Sequence, residues 1–124
     1  MKSKHLRFNN TYESGTLTFL YIQDKKRGNF IGVCLEFDLE VEAKTFLEVQ
    51  EKIEDYAKLW LENVRVNKLS EELLNKAAPE KYWKIVNELE EQRKSRTRTI
   101  ENYTSSIKMP VSTSFFRYND LFPF

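Results

Sequence analysis

The sequence predicts an α+β fold: a three- to four-stranded, mainly antiparallel sheet with one face covered by a helix over residues 45–63. Three observations lead to this fold class. Apolar and polar residues alternate over residues 31–43, the period of a half-buried strand, because successive strand side chains point to opposite faces. At Thr45 the period changes to steps of three and four, as in an amphipathic helix. Residues 16–23 are rich in Thr, aromatic and β-branched residues, which is a strand composition.

The first two strands are predicted to form a hairpin. Residues 24–29 between them are mostly charged and include Gly28, which adopts positive φ at little cost. The alternation that follows is longer than the roughly 5–6 residues of a typical strand. We therefore predict a second strand ending near Leu35 or Phe37, a bulge or tight bend at residues 36–38, and a third strand over residues 39–43.

Helices are predicted to follow the third strand. Thr45 and Glu48 have the spacing of a capping box at the start of the first helix. Ser70 and the acidic residues after it indicate a short second helix. Pro79 suits the start of a third helix, over about residues 80–93. The apolar side of that third helix is predicted to consist of Tyr82, Trp83, Val86 and Leu89.

A chain of 124 residues is long enough for one core. We divide it into a loose N-terminal lead-in (residues 1–15), a β-β-β-α core (16–64), added helices that pack on the core (65–95), and a polar linker with an aromatic C-terminal arm (96–124). The net charge of +1 gives no general attraction to nucleic acid. Cys34 is the single cysteine, so no internal disulfide can form, and a reducing, cytoplasmic location is expected. The sequence has no apolar run long enough to predict a membrane span.

The acidic and apolar residues 34–39, followed by Thr45, Phe46, Leu47 and Glu48 opening a helix, resemble the HicB-like antitoxin domain. The strand over residues 16–23 and the turn at Gly28 stand where that family has its first hairpin. The resemblance covers about residues 16–61. It implies a β-β-β-α unit completed by a fourth strand, a truncated relative of the ribonuclease H fold.

The resemblance also implies a function, because members of this family commonly neutralise a small toxin that degrades RNA. Many carry a C-terminal DNA-binding module that represses their own operon. Two features of this chain differ from the family pattern. Ala43 stands where the family usually has Gly, and neither a helix-turn-helix nor a ribbon-helix-helix pattern follows the first helix. DNA binding is therefore not predicted for this chain.

Glu36, Asp38, Glu40 and Glu42 share the polar side of the alternation. In one interpretation they are a solvated strand face. In a second they form an acidic surface that meets a basic partner, where charge chiefly speeds encounter. In a third they are carboxylates of a divalent-metal nuclease, which would use Glu36 and Asp38. That chemistry needs carboxylates from separated elements, and here all four come from one run.

The sequence predicts no catalytic, cofactor-binding or metal-binding residue. A nucleophilic cysteine is commonly activated by a histidine beside it, and the single histidine, His5, lies in the polar lead-in. Cys34 is therefore expected to be a buried or half-buried thiol and not a nucleophile. The basic run over residues 93–98 follows a helix and has no interleaved aromatic residues, so we expect it to be solvated rather than to bind phosphates.

The C-terminal arm is unusually aromatic. Its large apolar residues need cover from their own sheet, from a second copy of the chain or from another protein. We expect docking on the chain itself or within a homo-oligomer. The docking residues would be Phe115, Phe116, Tyr118, Leu121, Phe122 and Phe124.

Three functions follow from these residues. The first is a non-enzymatic protein-binding module, the antitoxin of a small basic RNA-degrading toxin. The second is a HicB-like structural or oligomerisation protein without a toxin partner. The third, ranked last, is the metal nuclease.

Overall fold

The computed structural model describes residues 9–95 and 111–118, with the backbone alone for residues 93–95 and 111. Three strands come first, β1 (Thr16–Asp24), β2 (Asn29–Cys34) and β3 (Leu39–Ala43). Helix α1 (Phe46–Val66), a 3₁₀ helix (Glu71–Leu74), helix α2 (Glu80–Ser95) and strand β4 (Val111–Arg117) follow. The strands form one antiparallel sheet in the order β3-β2-β1-β4. The predicted α+β fold class is confirmed.

The two predicted turns of the sheet are present. Gly28 closes the β1–β2 turn with φ +70°, and its N–H donates to the Asp24 carbonyl at 2.8 Å. The predicted bend at residues 36–38 lies in the turn that joins β2 to β3, where Asp38 has φ +60°. Splitting the long alternation into two strands is therefore confirmed.

The turn between β2 and β3 also reverses which residues face α1. Cys34 pairs with Leu39 and Gly32 with Val41, and these four residues lie on the α1 side. Val33 lies on the opposite side, beside Glu40. The interpretation of residues 31–43 as one buried and one wet side is wrong, because the four-residue turn puts the apolar positions of β2 and β3 on opposite faces.

Helix α1 begins at the predicted residue, since the Thr45 side chain accepts a hydrogen bond from the Glu48 N–H at 3.1 Å. It packs on one face of the sheet through Val49, Ile53, Ala57, Leu61 and Val64. The spacing of three and four predicts an apolar stripe on this helix: Phe46, Val49, Ile53, Tyr56, Ala57, Trp60 and Val64. Leu61 lies off that stripe but is buried, whereas Phe46 and Tyr56 belong to it but are exposed. The covered face is thus rotated slightly from the predicted one.

Helix α2 covers the second face of the sheet. Its predicted apolar side packs there: Tyr82, Trp83 and Val86 are buried and Leu89 is half-buried, against Leu20, Ile22, Val33 and Leu35. The linker before α2 is tied to the β2–β3 turn, because the Ala77 and Ala78 N–H groups donate to the Glu36 and Leu35 carbonyls at 3.1 and 2.7 Å. The added helices therefore pack on the core, and they make the sheet a central layer between two helices.

Residues 9–15, the described part of the predicted lead-in, are held more firmly than a loose segment. Asn10 is buried, and its side chain bonds to both Thr16 and the Leu74 carbonyl. Tyr12 packs against the core and donates its hydroxyl to the Leu69 carbonyl. Phe8 lies outside the described residues.

Candidate functional site

The four acidic residues predicted on one face occupy three different environments. Glu36 is 2% exposed, and its carboxylate accepts hydrogen bonds from the Thr18 N–H at 2.7 Å and the Thr18 hydroxyl at 2.8 Å. Burial raises the pKa of Glu36 to about 7. Glu36 is therefore a buried, hydrogen-bonded group and not part of an exposed acidic surface.

Asp38 and Glu40 are exposed at the end of the sheet near α2. Glu40 accepts a hydrogen bond from the Tyr82 hydroxyl at 3.1 Å. Burial raises the pKa of Tyr82 to about 12, and the charges of Glu40 and Asp38 add to the effect. Both carboxylates are accessible, and they lie on the side of the sheet that α2 covers.

Glu42 lies between the first hairpin turn and helix α1. Its carboxylate is 3.2 Å from Arg27 Nη2 and accepts from Asn29 Nδ2 at 3.1 Å, while its carbonyl accepts from Lys52 Nζ at 2.7 Å. A groove of about 700 Å³ opens here. The charged residues that line it are Arg27, Glu42, Lys44, Glu48, Glu51, Lys52 and Asp55.

The groove continues into the solvent-facing side of α1. Residues spaced by three and four positions lie on one side of a helix. At that spacing α1 carries acidic and large apolar residues, which we call the acidic stripe: Glu48, Glu51, Asp55, Leu59, Glu62 and Val66. Leu59 and Val66 are 62% and 75% exposed, which is high for large aliphatic side chains in a row of charges.

The electrostatics of α1 reflect this density of like charge. Helix α1 contains five acidic and three basic side chains, and four of the five acidic ones lie on the stripe. The pKa of Glu54 is raised by partial burial and by the neighbouring carboxylates of Asp55 and Glu51. A second groove, of about 460 Å³, lies at the far end of the stripe, and its lining has mixed charge: Tyr12, Glu13, Glu62, Arg65, Val66 and Lys68.

The acidic stripe is the polar side of the predicted helix, and its carboxylates alone do not distinguish it from ordinary solvated charge, although the sequence places Leu59 off the main apolar stripe. The distinguishing signal is that Leu59 and Val66 share its phase rather than that of the buried positions. That signal could have been found by comparing the helical phase of every large apolar residue with the phase of Ile53 and Ala57.

The aromatic arm is split by the limits of the described residues. Phe116 packs on Phe19 at a ring distance of 5.9 Å, and Tyr118 is buried in the same cluster. Phe115 is 45% exposed. This part of the arm docks on the chain's own sheet as β4. Leu121, Phe122 and Phe124 lie outside the described residues.

Cys34 is fully buried among the residues under α1, and burial raises the pKa of its thiol, as expected for a structural cysteine. His5, Arg96 and Arg98 lie outside the described residues. Within residues 9–95 and 111–118 there is no group of three or more His, Cys, Asp or Glu side chains placed to hold a metal ion. No helix of that part of the chain is both long and apolar enough to span a bilayer.

The comparisons with known proteins add no assignment to this geometry. The chain matches no family model, no curated protein and no solved structure.

Proposed function

We propose that the protein is a non-enzymatic, HicB-like protein-binding module that neutralises a small, basic, RNA-degrading toxin by covering the surface through which the toxin binds RNA. The observation that carries the proposal is the acidic stripe of α1, with Leu59 and Val66 exposed among its carboxylates. The resemblance over residues 16–61 and the β-β-β-α order with a fourth strand support it.

Charge explains why such a partner would be attracted. A protein that binds RNA needs cationic side chains against the phosphates. An acidic surface attracts the same cationic side chains and raises the association rate when the two potentials are complementary. Glu48, Glu51, Asp55 and Glu62 of the acidic stripe provide that attraction locally, although the whole chain is nearly neutral.

The two exposed aliphatic side chains explain why the complex would persist. Surface charge mostly controls encounter, whereas a desolvated apolar centre supplies most of the binding energy of an interface. Leu59 and Val66 are seven residues apart on one helix, so they project about 10 Å from each other along the stripe. Asp55 and Glu62 lie one helical turn from Leu59, and Glu62 lies one turn from Val66, so each apolar side chain has an acidic neighbour on the stripe.

If a reading frame beside this one encodes a small basic protein, co-expression with that protein tests the proposal. The wild-type chain is expected to co-purify with it and to relieve its growth inhibition. The double variant Glu51→Lys, Asp55→Lys is expected to weaken the affinity at least about tenfold, since two close charge pairs become repulsive. The wild-type association rate is expected to fall as salt increases.

The matched control is Glu72→Lys, Glu91→Lys, which makes the same change of charge at exposed positions of the 3₁₀ helix and α2. It is expected to bind like the wild type. Equal weakening by both double variants would assign the effect to net charge alone, and absence of any complex would remove the toxin from the proposal.

A second candidate, a protein that assembles with copies of itself and has no toxin partner, is favoured by a different observation. Among the described strands, β4 lies at one end of the order, and it carries the partly exposed Phe115. This observation concerns another surface, so it can hold together with the first candidate or without it.

A further inference from the structure

The acidic stripe of α1 contains a seven-residue repeat. One row, which we call the aliphatic row, consists of Leu59 and Val66, and a second, the acidic row, consists of Glu48, Asp55 and Glu62. Steps of four and three residues alternate between the rows, which is the spacing of the two seam positions of a coiled coil. The two rows therefore lie side by side along the helix.

Both rows can be reached from solvent. Leu59, Val66, Glu48 and Asp55 are exposed, and Glu62 is half-buried. Large aliphatic side chains at a seam position are ordinarily covered by a second helix. On α1 the sheet-facing residues already form the core, so the repeat on the opposite side is additional to what the fold needs.

The basic residues of α1 do not neutralise the acidic row. Lys52 stands seven positions before Leu59, but its ammonium donates to the Glu42 carbonyl at 2.7 Å, on the β3 side. Lys58 and Arg65 lie outside both rows. The surface is thus aliphatic along one row and anionic along the other.

The distance between Leu59 and Val66 determines which kind of element contacts both. Seven residues at about 1.5 Å each place them about 10 Å apart along the axis. A second helix at a small crossing angle presents same-side residues at that same separation. Same-face residues of an extended strand recur at about 6.6 Å or 13 Å, and neither distance matches. The aliphatic row therefore fits a helix.

The acidic row determines the charge of that helix and excludes a second copy of α1. In a parallel pair of α1 helices the acidic rows would face each other. In an antiparallel pair the aliphatic row of each copy would face the acidic row of the other. Either arrangement removes carboxylates from water without a cation to compensate. A helix with Lys or Arg opposite the acidic row compensates them.

We propose that the acidic stripe binds a cationic amphipathic helix of its partner, which lies along α1 and sets apolar residues seven positions apart against the aliphatic row and Lys or Arg against the acidic row. The inference deepens the toxin-binding proposal, on which it rests for the identity of the partner. Apolar contact holds the helix, and charge selects it against other helices.

A synthetic peptide tests the helix without the toxin. The probe is a labelled peptide of about three heptads with Leu at the first seam position, Lys at the second and helix-forming residues elsewhere. Its control has the same composition with Leu and Lys alternating, so it is amphipathic only as a strand. Fluorescence anisotropy with the full chain is expected to show binding of the helical peptide at least about tenfold tighter than of the control. Equal binding of the two would mean that charge alone holds them and would overturn the inference.

Leu47 provides a matched control for the aliphatic row. Leu47 and Leu59 are both 62% exposed on α1, but Leu47 lies outside the two rows. Leu59→Ala is expected to weaken binding of the helical peptide at least about tenfold, because it removes an apolar contact at the centre of the interface. Leu47→Ala is expected to leave the affinity unchanged. Equal affinities of the two variants contradict the inference.

Charge exchange tests the acidic row. Asp55 lies at its centre, so Asp55→Lys is expected to weaken binding of the helical peptide, and replacement of the central Lys of the peptide by Glu is expected to restore it. A variant that had merely disturbed α1 would not regain affinity in this way. Absence of that recovery contradicts the placement of the rows.

The peptide and the toxin give separate outcomes. If Glu51→Lys, Asp55→Lys weakens toxin binding while the helical peptide does not bind, the helix inference is overturned and the toxin proposal stands. If the helical peptide binds and shows the Leu59 and Asp55 effects while no toxin is bound, the helix inference is supported and the toxin is removed from the proposed function.

Discussion

Glu36 is a charged side chain at a buried position, and Thr18 is what makes that position tolerable. A carboxylate without partners in the interior costs several kcal/mol. Thr18 supplies two donors, its N–H at 2.7 Å and its hydroxyl at 2.8 Å. The backbone on either side is also fixed, because the Glu36 and Leu35 carbonyls accept from Ala77 and Ala78. Glu36 thus links β1, the β2–β3 turn and the linker to α2.

The pKa of Glu36, raised to about 7 by burial, makes stability depend on pH. The ordinary value for Glu is about 4.3, so the folded chain binds this proton more tightly than the unfolded chain does. The stabilising contribution of this group is complete below about pH 4 and is lost as the pH rises through 7. Stability should therefore fall over this window.

Glu36→Gln is expected to remove that part of the pH dependence. Glutamine keeps an oxygen that accepts from the Thr18 N–H and adds an N–H that donates to the Thr18 hydroxyl. Between pH 5 and pH 8 the variant should gain stability over the wild type by about 2 kcal/mol. Urea unfolding at both pH values measures it. Glu72→Gln, at an exposed position, is the control, and parallel curves for Glu36→Gln and wild type would contradict the prediction.

The position of Glu36 shows what the sequence could and could not predict. Alternation correctly located the strands and the bend at residues 36–38, because side-chain period is a local property. Whether Glu36 points to solvent depends on the turn, on Thr18 at a distance of eighteen residues, and on the cover from α2. None of these is encoded in the alternation itself. The acidic stripe differs, because the helical phase of Leu59 and Val66 is a local property that the sequence contains.

At the scale of elements, Asn10 connects the N-terminal segment, β1 and the 3₁₀ helix. Its side-chain amide donates to the Thr16 and Leu74 carbonyls, both at 3.1 Å, and its oxygen accepts from the Thr16 N–H at 2.9 Å. Asn75 completes the connection by bonding to the Asn10 backbone on both sides, at 2.8 and 2.9 Å. The polar sequence around Asn10 does not predict this connection, because Asn75 lies sixty-five residues further along the chain.

Asn10→Ala is expected to lower the free energy of unfolding by about 2–3 kcal/mol. The substitution leaves three backbone groups without their partner in a site where Asn10 is 1% exposed. Chemical denaturation measures the loss, and hydrogen exchange should locate increased opening in residues 69–75. Asn9→Ala, an exposed neighbour, is the control and should change stability by less than about 0.5 kcal/mol. If Asn10→Ala also lowered stability by less than about 0.5 kcal/mol, water would be making the hydrogen bonds of the missing amide, and the prediction would be contradicted.

At the scale of the whole molecule, the sheet is apolar on both faces and each helix covers one of them. Residues 17, 19 and 21 of β1 face α1, while residues 20 and 22 face α2. Apolar residues on both faces of residues 16–23 predict a strand in the middle of the sheet or one covered on both sides, and β1 is both. The β-β-β-α unit over residues 16–64 therefore leaves one face of its sheet without cover when α2 is absent.

A fragment of residues 9–75 is consequently expected not to fold, although it contains β1 to β3, α1 and the Asn10–Asn75 connection. Without α2 it exposes Leu20, Ile22, Val33 and Leu35, each at most 3% exposed in the full chain. Burial of one such side chain contributes about 1.5–3 kcal/mol, so the four together approach the roughly 5–15 kcal/mol that stabilises a domain. The fragment should give no near-ultraviolet dichroism and should bind a hydrophobic dye, whereas a chain of residues 9–124 should unfold cooperatively. A cooperative transition in the shorter fragment would mean that the core is independent of α2 and β4, and that α2 is an addition rather than the second wall of the sheet.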